Sequence, residues 1–197
     1  MEIIDNFLSE EDYLELKNAV ESSSFPWFYV ENVSAPPGYY SSIDDPNIKE
    51  TDGFFHNIFN KFKSNNAKTS IEIFDKFFIA LESIGYSPED LLALRLSMKF
   101  PKEGYTEDTH QIPHVDFNDK PHDTLIYYIN DSDGDTKIFD QKYEGTPTTK
   151  FTIKDRVKPV GNRLLIIDGW QYHTATSPIK TRRRIIVNLN LNKRKFK

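Results

Sequence analysis

Residues 184–191 read Arg184-Ile185-Ile186-Val187-Asn188-Leu189-Asn190-Leu191, and their alternation decides the fold. On a strand, side chains two residues apart share a face. Ile185, Val187, Leu189 and Leu191 make one face wholly apolar, so it must be buried, most simply beneath helices. Arg184, Ile186, Asn188 and Asn190 make the other face polar apart from Ile186, and such a face on a late strand of a small barrel lines a cavity. A buried arginine needs an anionic partner, because an unpaired buried charge costs several kcal/mol. Where no protein carboxylate serves, a ligand carboxylate in a bidentate pair does. Arg182, Arg183 and Arg184 are consecutive, so at least one is exposed, and Arg182 rivals Arg184 for the cavity.

Outward from this strand, the C-terminal half is a series of short apolar runs. Leu91 to Phe100, Gln111 to Phe117, Thr124 to Asn130, Thr136 to Phe139, Thr148 to Ile153 and Arg163 to Ile167 each read as strands, with a turn at Asp131-Ser132-Asp133-Gly134. The first third reads as mainly helical. Glu2 to Phe7 is a short strand. Ser9 caps a helix, with Asp12 three residues on as in a capping box, and Tyr13, Leu16 and Val20 share one face of it. Trp27 to Val30 reads as a strand and 34–47 as a loop rich in Pro, Gly, Ser and Asp. Phe54, Phe55, Ile58, Phe59 and Phe62 predict an amphipathic helix broken at Asn65-Asn66. The clearest helix is Ser70 to Ile84, with an apolar stripe from Ile73 to Leu81 and Gly85 as its stop.

Helices followed by many strands predict an α+β fold: a double-stranded β-helix (jelly roll, cupin-like) with the N-terminal helices packed on one sheet. The whole chain, 1–197, reads as a single domain. Its parts are a mainly helical support region over 1–90, a jelly-roll core over 91–192 and a basic tail over 193–197.

His114-Val115-Asp116 lies in one of the expected strands, and His173 stands alone much farther on. Two imidazoles and one carboxylate form the facial set that suits ferrous iron and leaves coordination positions open. On an extended strand His114 and Asp116 reach one metal while Val115 points away, so the third ligand must come from another strand. The same donors suit zinc, which would activate water in a hydrolase. A jelly-roll module that binds without catalysis is the third reading. Among the other histidines, His110 and His122 are expected at the surface and His56 in a structural role. Trp170 and Tyr172 flank His173 as candidate pocket walls.

Bulk composition narrows the partners. The chain has 197 residues, 14% of them aromatic, enough to support a folded core. With 25 Lys+Arg against 30 Asp+Glu the net charge is −5, which argues against a nucleic-acid partner. There is no cysteine, so disulfides and thiolate metal sites are excluded. The opening Met1-Glu2-Ile3-Ile4-Asp5 lacks the pattern of a secretory signal. No apolar run approaches the roughly 20 residues that span a bilayer. A cytoplasmic protein without membrane partners, monomeric by default, is expected.

His114-x-Asp116, His173 and an arginine about ten residues later resemble the 2-oxoglutarate/Fe(II)-dependent oxygenases, especially their prolyl 4-hydroxylase-like branch. The resemblance covers 91–191. Leu125 to Asn130 resembles the strand after the His-x-Asp motif, Gly134-Asp135-Thr136 the Gly-Gly-x-Thr turn, Gly161 to Ile167 the Gly-x-x-Leu-Leu-Phe strand, and Arg184 to Val187 the Arg-x-Ser-aliphatic strand, with Ile186 in place of the serine. It implies Fe(II) held by His114, Asp116 and His173. It further implies 2-oxoglutarate and O2 as co-substrates, with Arg184 (or Arg182), Tyr128 and Thr136 at the distal carboxylate. Release of succinate and CO2, and ascorbate as an auxiliary reductant, follow from the same resemblance. So does hydroxylation of an organic substrate, a small molecule or a prolyl or other amino-acid residue of a peptide. A carboxylate ligand at Asp116 implies hydroxylation rather than halogenation. The segment 101–113 is expected to form a loop near the substrate, a candidate lid.

Overall fold

A computed structural model describes residues 1–33, 43, 45–62 and 72–194. The break at Asn65-Asn66, the expected helix start at Ser70, most of the 34–47 loop and residues 195–197 of the tail lie outside the described residues.

In chain order the elements are β1 (Glu2–Ile4), α1 (Glu10–Glu21), β2 (Phe28–Val30), β3 (Gly53–Asn60), α2 (Asp75–Ser83), β4 (Leu91–Lys99), β5 (Asp123–Tyr128), β6 (Thr136–Lys142), β7 (Ile153–Val157), β8 (Arg163–Asp168), β9 (Gln171–Ala175) and β10 (Arg184–Leu191). They form two antiparallel sheets, a large one ordered β1-β8-β5-β10-β4-β3-β2 and a small one ordered β7-β6-β9. This is the expected jelly roll, and β10 runs through the middle of its large sheet.

The apolar face of β10 packs as its alternation requires. Ile185, Val187, Leu189 and Leu191 join Leu16 and Val20 of α1 and Phe77, Phe78 and Leu81 of α2 in one core, so both helices cover the outer face of the large sheet. Ile186 lies on the inner face with Ile126, Tyr128, Ile138, Val157, Leu165 and Ile167, between the sheets. The Ser9 hydroxyl caps α1 by accepting from the Asp12 N–H at 3.1 Å. Gly85 follows α2 with φ of 90°, the left-handed conformation that ends a helix readily only at glycine.

Three expectations are corrected. Residues 54–62 do not form a helix: they build β3, between β2 and β4. A bulge between Asn57 and Phe59 breaks the strand's two-residue period, so its aromatics imitate a helical stripe. With β1 and β2, this strand adds a sheet portion to the 1–90 region beside its two helices. Residues 111–117 are irregular, with a β-bridge from His114 to His173; Pro113 in their midst has no N–H to give a ladder. The turn expected at 131–134 connects β5 to β6, which belong to different sheets. The strand expected over 148–153 lies at Ile153–Val157, where Lys154 and Arg156 are tolerated because β7 is an edge.

Candidate metal centre and pocket

The bridge that replaces the expected strand brings the ligands together. His114 and His173 exchange backbone N–H···O bonds of 3.0 Å in both directions, and their rings lie 4.8 Å apart. Asp116 follows two residues on. One donor atom from each of the three lies within 4.8 Å of the others. Nδ1 of His114 is 2.9 Å from the Ile112 carbonyl and Nδ1 of His173 is 3.1 Å from that of Gln171. A carbonyl only accepts, so Nδ1 is the donor in both rings, and it is Nε2 that carries the lone pair when the imidazole is neutral. Nε2 of His173 is buried without a partner, and it lies 3.8 Å from Oδ2 of Asp116, while Nε2 of His114 lies 3.9 Å from Oδ1.

The polar face of β10 holds the carboxylate. Oδ2 of Asp116 accepts from Asn190 at 2.7 Å, Asn188 at 3.4 Å and the Thr124 hydroxyl at 3.1 Å. Burial pushes the Asp116 carboxyl up, but His173, His114, Arg95 and the Asn190 amide together hold it well below the usual range. Burial, with His173 beside it, brings the His114 imidazole down to about 4. At neutral pH the set is therefore a neutral imidazole and a carboxylate around an unpartnered nitrogen, a donor set that fits a divalent metal.

From the triad a narrow cleft runs between β4 and β10 of the large sheet and β9 of the small one. At its far end Arg184 is only 1% exposed. Its Nε donates to the Gly134 carbonyl at 2.7 Å and its Nη2 to the Thr136 hydroxyl at 2.8 Å, while Nη1 is buried with no partner. The Tyr128 hydroxyl also donates to Thr136, at 2.7 Å. With both lone pairs of Thr136 occupied, its own proton is free to donate into the cleft.

No protein-family model matches the sequence, and no curated protein matches it. Solved structures do. A Trichoplax adhaerens prolyl hydroxylase in complex with a hypoxia inducible factor oxygen degradation domain peptide superposes with a TM-score of 0.56 at 16% identity, over 96% of this chain and 82% of that one. The viral collagen prolyl hydroxylase of Paramecium Bursaria Chlorella virus-1, in its 2-oxoglutarate complex, gives 0.54 at 15% identity, over 98% and 96%. The epimerase SnoN from nogalamycin biosynthesis, complexed with Fe3+, alpha ketoglutarate and nogalamycin RO, gives 0.63 at 10% identity, over 96% and 78%. The chain has the fold of the 2-oxoglutarate oxygenases, prolyl hydroxylases among them.

Within that fold the rival arginines part company. Arg182 is exposed, Arg183 pairs with Glu21 at 3.0 Å, and only Arg184 enters the cleft. Two histidines expected at the surface are buried. His110, 1% exposed, is anchored by the Gln111 carbonyl at 2.7 Å and Asp45 at 3.3 Å. His122 is wholly buried between Phe117 and Trp170. Their loop-like surroundings hid this, because both loops fold inward over the barrel rim. His56 is structural as expected, on a strand rather than a helix, with Nδ1 on the Pro26 carbonyl. Trp170 stacks on Tyr143 and Tyr172 packs on Phe151, and neither lines the cleft. The 101–113 segment is pinned to 45–52 by Lys49, Lys102 and Tyr105, with Thr109 to Ile112 buried.

Sequence reasoning missed Arg95, Ser97 and Lys99, which line the cleft from β4. The signal was present: three polar residues at every second position of an otherwise apolar strand. Arg95 lies over the Phe55 ring at 4.5 Å.

Proposed function

We propose that the protein is an Fe(II)- and 2-oxoglutarate-dependent oxygenase that hydroxylates an organic substrate. The observation that carries this reading is one cleft with a His/Asp/His donor set at one end and, at the other, a buried arginine with an unpartnered Nη1. His114, Asp116 and His173 would hold the metal. Arg184 would bind the distal carboxylate of 2-oxoglutarate, with the Thr136 hydroxyl, oriented by Tyr128, donating a further hydrogen bond. When bound, Fe(II), 2-oxoglutarate and O2 supply the oxidising chemistry, with release of succinate and CO2. The protein's part is to fix the carboxylate of Asp116 through Asn190, Asn188 and Thr124, to keep each imidazole Nε2 unprotonated, and to exclude water with Ile126 and Ile186. A zinc hydrolase would leave the buried cation at the far end unexplained. By analogy with the fold's other members the substrate is a small molecule or an amino-acid residue, prolyl included.

Anaerobic addition of Fe(II) and 2-oxoglutarate is expected to produce a visible charge-transfer band. Asp116→Ala abolishes the band. Arg184→Met weakens 2-oxoglutarate by about 3 kcal/mol, roughly 100-fold, with iron affinity little changed. No band in the wild-type protein, or equal 2-oxoglutarate affinity in Arg184→Met, removes the proposal.

A further inference from the structure

Lys99 closes β4 directly opposite Arg184 of β10. Partners in such a register project to the same face, with strands about 4.8 Å apart, and both side chains line the cleft. Lys99 is 5% exposed. Its Nζ donates to the side-chain oxygen of Gln111, a neutral group. Among the described residues no carboxylate lies within salt-bridge distance of either cation. A guanidinium and an amine facing each other in a buried cleft repel whenever both are charged, and burying either charge alone is costly. A lysine there serves no packing purpose that a leucine or methionine would not serve better. An anion seated between the two strands relieves both cations at once.

We propose that Lys99 is a second anchor for the distal carboxylate of the co-substrate, gripping it from β4 as Arg184 grips it from β10. This rests on the oxygenase reading above. Burial and the facing Arg184 push the Lys99 amine down, Arg95 on the same strand adds to this, and Glu50 opposes it. A bound carboxylate favours the ammonium form. Lys99 is thereby a positioning residue for the co-substrate and selects a dicarboxylate over a monocarboxylate.

Metal-free wild type and Lys99→Met are titrated calorimetrically with glutarate at pH 7. Fe(II)-loaded samples are titrated anaerobically with 2-oxoglutarate and with 2-oxopentanoate, which lacks the distal carboxylate. Lys99→Met is expected to weaken glutarate and 2-oxoglutarate about 10- to 100-fold, the worth of one charged hydrogen bond, and to leave 2-oxopentanoate unchanged. Lys99→Gln, which keeps a polar partner for Gln111, repeats the test should methionine disturb the fold. Unchanged affinity for glutarate, or an equal loss for 2-oxopentanoate, overturns the anchor. A wild type that binds glutarate through Lys99 yet gives no charge-transfer band would sink the oxygenase reading alone.

Discussion

Gly169, in the turn between β8 and β9, has no room for a side chain. A Cβ built there enters the His122 imidazole well inside contact distance. That ring cannot retreat. It is wholly buried, edge-on to Phe117 at 5.3 Å and to Trp170 at 6.0 Å, and its backbone carbonyl accepts from the Gly169 N–H at 2.9 Å. Gly169→Ala is therefore an overpacking substitution without a soft neighbour and is expected to cost about 3 kcal/mol. His122→Ala alone leaves a cavity and costs a similar amount, about 3 kcal/mol. In the double variant the alanine methyl enters the space the imidazole vacated, so the first cost disappears and the pair couples by about 2–3 kcal/mol. Urea denaturation of the metal-free proteins reads this directly, as midpoints at constant slope. The site should feel it too, since Phe117 adjoins Asp116 and the turn leads to His173: iron affinity falls in Gly169→Ala and recovers in the double variant. Costs that add to within about 0.5 kcal/mol would show that glycine and histidine are not in the contact argued here.

Two further substitutions probe the scaffold of the site. Asn190→Ala removes the shortest of the bonds on Asp116, 2.7 Å, and should lower metal affinity about 10- to 100-fold while leaving the fold intact; unchanged competition against a metal chelator would contradict it. Asp133 accepts from the N–H groups of Ile179, Lys180 and Thr181 and from the Thr181 hydroxyl, pinning the turn that leads into β10. Burial pushes its carboxyl up, but these donors bring it down to about 2 from 3.8. A carboxyl lowered in the folded state contributes stability above its unfolded pKa and loses it as pH falls through the folded value. Discounted for partial exposure, the contribution is about 1–2 kcal/mol. Asp133→Asn should lose that amount at pH 7, and the gap to wild type should close between pH 3.8 and about 2; a gap that persists at pH 2 would refute the linkage.

The His/Asp/His cluster and the central strand were legible because each is stated by local chemistry. His114-Val115-Asp116 and His173 announce a donor set whatever backbone carries them, and so they survived an error about that backbone: the segment is irregular, and one bridge to His173 does what a strand was expected to do. Strand β10 was legible to the residue, because every one of its eight side chains is buried and the two faces meet unlike surroundings. What failed was local pattern under tertiary control. The bulge in β3 displaced one residue and turned a strand's period into a counterfeit helix. His110 and His122 sit in polar, Pro-containing segments whose inward folding no neighbour in sequence reports.

Strand β4 shows where the information had been all along. Arg95, Ser97 and Lys99 repeat at the same two-residue interval as Arg184, Ile186 and Asn188 of β10. Once the two strands pair, those rows lie side by side, with Lys99 against Arg184 and Arg95 against Asn188. Either row alone reads as an exposed face, the usual fate of polar residues on a strand. Paired in the middle of a sheet and roofed by β6 and β9, they can be neither exposed nor mutually neutralised. The charge of the cleft is thus a property of the pairing, invisible in each strand and forced by both. A basic floor leading away from a donor set of two imidazoles and a carboxylate is what the proposed co-substrate, a small dianion lying lengthwise, would require.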